Sequence, residues 1–195
     1  MSKIIVIEGA DRCGKFTQTH LLQEYITRTG SGAVVVEVPI RSAVTYRIIY
    51  WMLQNGLAKK FPKFFQWLQF LNRKIFQVLS LPSLLKTYDY VILDRWSLST
   101  IVYGTAEGID PKFSQDLADK LISPDYTILL LGKSHMGVAE DVYEADVSLQ
   151  MKVRNLYMDW AIFNSQNSSI VDCGLSKEEV FQNVIQTLQS SKMIF

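Results

Sequence analysis

Cysteine is scarce in this chain: Cys13 and Cys173 are its only two in 195 residues. Such a pair builds neither a disulfide framework nor a thiolate metal site. A reduced, intracellular setting is the simpler reading. Charge of one sign is not in excess either. Lys and Arg number 20 against 19 Asp and Glu, for a formal net charge of +1. Bulk electrostatics therefore give no case for a nucleic-acid or acidic-membrane partner. Long apolar runs are missing as well. The apolar run in the opening "MSKIIVIEG" is far too short for a signal peptide. The aromatic-rich "FPKFFQWLQFLNRKIFQVL" is interrupted by Lys63, Arg73 and Lys74, which argues against a membrane span. No repeat, low-complexity tract or linker divides the chain, so a single soluble, cytoplasmic domain over 1–195 is expected.

What is present is an apolar content of 48%, enough for a sizeable core. It is laid out as strands alternating with helices. Short β-branched or leucine-rich runs predict strands at 4–7, 33–39, 88–95, 126–132 and 168–173. Helical periodicity predicts helices at 15–29, 43–55, 62–79, 96–106, 111–122 and 147–163, with Pro82 closing the third. A last helix begins at Ser176, where Glu179 three residues on completes a capping box. Strands separated by helices must pair in parallel, since a parallel neighbour needs a crossover. Runs such as "VVV" and "ILLL" suggest strands buried on both faces. The expected fold is a three-layer α/β sandwich on a five-stranded parallel sheet. Ligands in such sheets sit beyond the carboxyl ends of the strands, which places Gly9, Pro39, Asp94 and Gly132 at the working edge.

One stretch there carries chemistry. "GADRCGKFTQ" (9–18) satisfies the phosphate-loop pattern G-x-x-x-x-G-K-(S/T) at Gly9, Gly14 and Lys15, and breaks it at Phe16. It follows a strand and opens a helix, the context such a loop requires. Its backbone N–H groups, from Gly9 through Ala10, Asp11, Arg12, Cys13, Gly14, Lys15, Phe16 and Thr17, would face phosphate oxygens at a helix N-terminus. The plain alternative is a glycine-rich turn with no ligand. Phe16 matters because a phenyl ring cannot coordinate Mg²⁺, which wants oxygen. Thr17 is displaced by about 100° around the helix and is no automatic substitute. His20 and His135 have no partner pattern and are assigned nothing.

At this point the chain resembles the thymidylate kinase family of P-loop nucleoside monophosphate kinases. "EGADRCGKFTQ" is similar to that family's EG-x-DR-x-GK-(S/T)-TQ. "VPIR" (38–41) resembles FPxR, and "DRWSLSTIVYG" (94–104) resembles DR-(Y/H)-x-x-S-x-x-A-(Y/F). "LNR" (71–73) and "VYEADVSLQMKVRNLY" (142–157) follow in the family's order. The resemblance implies ATP-dependent phosphorylation of dTMP to dTDP, with Mg²⁺, in a homodimer. It implies catalytic roles for Arg12, Lys15, Asp94 and Arg95, with Asp94 organising Mg²⁺ through water. Arg41 and Arg95 would hold the acceptor phosphate and Asp11 would face its sugar. Arg73 would bond the base, and Tyr103 and Tyr143 would line the pocket. The lid, about 133–144, has no arginine, which agrees with a catalytic arginine in the loop.

Four departures stand out. Phe16 replaces the hydroxyl. Gln69 takes the position where the family stacks a phenylalanine on thymine, with Phe70 one step away. Val142 replaces an arginine, and Trp96 is bulky. They keep rivals open: a kinase for another (deoxy)nucleoside monophosphate, a silent nucleotide-binding homologue, or an unrelated P-loop kinase of small molecules.

Overall fold

The computed structural model describes residues 2–132 and 146–195; the expected lid and Tyr143 lie outside the described residues. The first strand, β1 (Lys3–Gly9), runs into a glycine turn and then α1 (Lys15–Arg28). β2 (Ala33–Glu37) leads to α2 (Val44–Gln54), α3 (Leu57–Lys60), α4 (Pro62–Leu79) and α5 (Leu81–Thr87). β3 (Tyr90–Asp94) is followed by α6 (Ser97–Ala106) and α7 (Pro111–Ala118). β4 (Tyr126–Leu131), α8 (Val147–Phe163), β5 (Ser168–Asp172) and α9 (Lys177–Ser190) complete the described order.

The five strands form one parallel sheet in the order β2-β3-β1-β4-β5. Side chains alternate across it, as the two-residue repeat of a strand demands. Ile5, Ile7 and Ile92 share a core with Leu22 and Ile26 of α1. Ile4, Val6, Val91 and Leu93 face a second core with Phe76 of α4 and Leu81 of α5. The expected three-layer sandwich is the observed one.

Two details differ from expectation. Pro82 does not simply stop a helix: it sits in the first turn of α5, where a missing N–H costs nothing. Val34, Val35 and Val36 are only half-buried, because β2 lies at the sheet edge. β1 and β4, inside the sheet, are buried almost throughout.

Gly9 ends β1 at φ 148°, and a Cβ there would collide with the Leu130 carbonyl oxygen of the neighbouring strand. Only glycine lets the backbone turn from sheet to loop so close to β4.

Candidate active site

The loop after β1 is wound by left-handed residues. Gly9, Arg12 and Gly14 all have positive φ, at 148°, 63° and 76°. Such a winding turns successive N–H groups inward and makes an anion-binding concavity. Gly14 is the N-cap of α1, and among the described residues no side chain caps that helix. Its first N–H groups and its partial positive charge are left for an anion. Lys15 opens the helix, is 7% exposed, and donates from Nζ to the Ala10 carbonyl at 2.7 Å. Burial, with Arg95 beside it, pushes its pKa below the usual lysine value. Cys13 points the other way, into the core under the loop, where its thiol hydrogen-bonds with that of Cys173. Thr17 is half-buried on the first turn of α1. Phe16 is 55% exposed and packs on His20 with ring centroids 4.2 Å apart.

Arg95 reaches the loop from β3. It stands at φ 70°, an unfavourable conformation for a side-chain-bearing residue. The surroundings hold it there: its N–H donates to Ile7 O at 3.0 Å, and Nη1 donates to Gly9 O at 3.0 Å. Nη2 bonds the Asp11 carboxylate, which also accepts from Tyr103 Oη at 2.9 Å and Gln150 Nε2 at 2.7 Å. The Arg95 guanidinium lies 5.2 Å from the Tyr103 ring centroid, a cation–π contact. Burial pushes the Asp11 carboxyl up, but Arg95, Lys15 and the two hydrogen bonds outweigh it and hold the group below the usual carboxylate range.

Behind this cluster stands Glu8, wholly buried and overlooked at the sequence level. Its carboxylate accepts from Trp96 N at 2.7 Å, Ser99 N at 3.1 Å, Ser99 Oγ at 2.6 Å and Tyr157 Oη at 2.8 Å. α6 has no cap from its own N-cap residue; Glu8 supplies one from β1, with a negative charge at the end of the helix that favours it. Trp96, the bulky departure, fits because its ring enters the core, edge-on to Phe76, and Nε1 donates to Ile122 O at 2.9 Å.

α4 forms the far wall of the cleft. Phe65, Gln69 and Arg73 recur every four residues and so share a face. They line one pocket with Asp11, Arg95 and Tyr103. Arg73 is 3% exposed, so it is no solvated surface residue. Its Nη1 donates to Thr100 Oγ1 at 3.3 Å, and burial lowers its pKa to about 10. Next to it, Asn72 accepts from Ile40 N at 2.7 Å and donates to Thr45 Oγ1 at 2.8 Å, pinning the loop after β2 onto α4. Phe70 packs in the core with Val38 and Trp96 and does not line the pocket.

The structure thus brings Asp11, Arg73, Arg95 and Tyr103 to one cleft at the carboxyl edge of the sheet, with Lys15 close to Asp11, Arg95 and Asp94 at its side. Arg41 stands apart: it is exposed and pairs with Glu37 at 3.0 Å. An exposed pair is worth at most about 1 kcal/mol, so little holds Arg41 there. Gln150 and Tyr157 lie in the quoted "SLQMKVRNLY", yet nothing in their spacing indicated that they converge on Asp11 and Glu8.

The same arrangement has relatives. A family profile described as thymidylate kinase matches residues 7–184. A thymidylate kinase of Oleidesulfovibrio alaskensis is 28% identical over 201 residues, covering 92% of this chain and 94% of its own. A probable thymidylate kinase 1 of Saccharolobus solfataricus is 28% identical, covering 98% of this chain and 99% of its own. The solved thymidylate kinase of Ehrlichia chaffeensis has a TM-score of 0.76 at 27% identity, over 96% of this chain and 98% of its own. That of Candida albicans has a TM-score of 0.80 at 24% identity, over 98% and 92%, a likeness of fold.

Proposed function

This chain belongs to the thymidylate kinase family, and from that premise we propose that it phosphorylates dTMP to dTDP with ATP. The observation that carries the reading is the meeting of a phosphate loop and an arginine-rich acceptor pocket in one cleft. An oxygen of the dTMP phosphate attacks the γ-phosphorus of ATP, and the bond to the β,γ-bridging oxygen breaks. Such transfer is catalysed mainly by positioning and by neutralising charge. The loop amides and Lys15 hold the donor phosphates. Arg12, in the loop itself, reaches the transferring phosphoryl group. Arg95 holds the acceptor phosphate, joined by Arg41 once it leaves Glu37. Tyr103 and Asp11 face the sugar, and Arg73 the base.

The residues present fit a hydrated Mg²⁺ better than a caged one. Among the described residues no group of three or more His, Cys, Asp or Glu gathers to hold a metal. Asp94 ends β3 beside Lys15 and Arg95, half-buried, and no described residue hydrogen-bonds to its carboxylate. Its oxygens are free to bond metal-bound water. Mg²⁺, when bound, neutralises phosphate charge. With Phe16 turned to solvent, the loop adds no hydroxyl from that position. Phe16→Ser is therefore expected to lower the Mg²⁺ concentration for half-maximal rate several-fold and to raise the rate. An unchanged Mg²⁺ titration would show that the ion is held independently of position 16.

The test of substrate is a panel of dTMP, dUMP, dCMP, dGMP and UMP under identical conditions. dTMP is expected to give the highest kcat/KM, and a low rank for it would overturn the assignment. Turnover of none, with ATP still bound, would favour a silent homologue.

A homodimer suits the surface. Val44, Ile48 and Trp51 form an exposed stripe on α2, and Phe64 and Trp67 stack in the open on α4. Trp51 and Trp67 are thus exposed side chains and not part of the core. Sedimentation at micromolar concentration is expected to show a dimer; a monomer would remove this part of the proposal. No helix among the described residues is long and apolar enough to cross a membrane. A cytoplasmic setting fits an enzyme that draws on ATP.

A further inference from the structure

Two polar atoms of residues that line the acceptor pocket lack partners among the described residues. Gln69 Oε1, an acceptor, and Arg73 Nε, a donor, are both buried and make no hydrogen bond among the described residues. They lie one helical turn apart on the wall of α4, and both residues line the same cleft. A buried polar atom without a partner costs stability, and the fold tolerates two here side by side. The neighbours do not relieve them. Gln66 Nε2 is committed to Glu107 Oε2 at 2.9 Å, and Thr100 takes only Nη1 of Arg73. Phe65, Leu53, Val38 and Pro39 make the rest of this end apolar. A flat ring that brings one N–H and one adjacent carbonyl would satisfy both groups.

We propose that Gln69 is a specificity-determining residue: its Oε1 accepts the N3–H of a 4-oxopyrimidine whose O4 accepts from Arg73. The inference rests on the nucleoside monophosphate kinase reading above and adds the base edge that the cleft takes. Thymine and uracil present a donor at N3 next to an acceptor at O4. Cytosine presents the reverse, an acceptor next to an amino group, and the amino group meets the guanidinium of Arg73, which only donates. Sites built to hydrogen-bond a substrate discriminate strongly, because the wrong ligand leaves buried groups unpaired. A carboxamide at position 69 thus replaces recognition by ring contact with recognition by hydrogen bond.

The test compares dTMP with its N3-methyl analogue, which lacks the donor, on the full chain and on Gln69→Leu. Affinity is read by calorimetry, and the affinity for an ATP analogue and the melting temperature certify the fold. Gln69→Leu is expected to weaken dTMP by about 10- to 100-fold. It should leave the N3-methyl analogue and the ATP analogue within about twofold, since neither uses Oε1. Equal loss for both pyrimidines, or none for dTMP, would overturn the proposal. Gln69→Asn, which keeps the amide but shortens it, supplies a second variant should leucine disturb α4; it should again weaken dTMP selectively. The two readings fail differently. If dUMP outranks dTMP, the dTMP assignment falls and the base-edge proposal stands. If dTMP is turned over equally by both enzymes, only the base-edge proposal falls. Preference for dCMP would overturn both.

Discussion

Lys15→Ala is expected to lower the rate of transfer from ATP to dTMP by about 10³-fold. The residue is buried at the mouth of the loop, with Nζ on the Ala10 carbonyl. That carbonyl is a resting partner; donor phosphates would take its place. The ammonium is disfavoured by burial and by Arg95, which is why its pKa falls. Removing it should therefore not unfold the protein, and its melting temperature is expected to stay level or rise. Loss of rate without loss of fold separates a catalytic lysine from a structural one. A coupled assay and a thermal melt on the same sample decide it; full activity would remove the loop from the mechanism.

Arg95→Met is expected to damage both function and fold. The acceptor phosphate would lose its proposed holder, worth about 10³-fold in kcat/KM for dTMP. Asp11 loses its main counter-charge while staying largely buried. The two side chains are only 17% and 16% exposed, so solvent screens the pair little. Breaking such a pair on one side costs about 3 kcal/mol. The pH dependence has a definite sign. In the native protein the Asp11 pKa is depressed, so its stabilisation is present above the ordinary carboxylate value and lost as pH falls through the folded value. The stability gap between native protein and variant is thus expected to be wide at neutral pH and to close on acidification. Asp11→Asn added to Arg95→Met should restore much of the melting temperature and none of the activity. If Arg95→Met melts as the native protein does at pH 7, the pair contributes nothing to the fold.

Local chemistry explains why some of this was legible from the chain. α8 spans the expected residues because its periodicity is undisturbed. The capping box at Ser176 and Glu179 formed as its spacing indicated. The loop at Gly9–Lys15 was readable because glycine and lysine serve one purpose there. Other features depend on distance in sequence. Glu8 meets Trp96, Ser99 and Tyr157 across separations of 88, 91 and 149 residues, and no local pattern marks such a convergence. Arg73 sits in "NRK" among polar neighbours, and the helix face it occupies is decided by what packs against α4. Proline at position 82 reads equally as a stop or a start. The half-buried valines of β2 follow from strand order, which a run of three valines cannot reveal.

The Glu8 carboxylate has a dynamic consequence. It ties the end of β1 to the first turn of α6 and to Tyr157 of α8, in a setting closed to water. The amide hydrogens of Trp96 and Ser99 can exchange with solvent only when that carboxylate is exposed, and exposing it means breaking the sheet core. Their exchange should therefore track global unfolding, not local fraying. The wall that carries Arg95 and Tyr103 should be among the slowest-exchanging parts of the molecule.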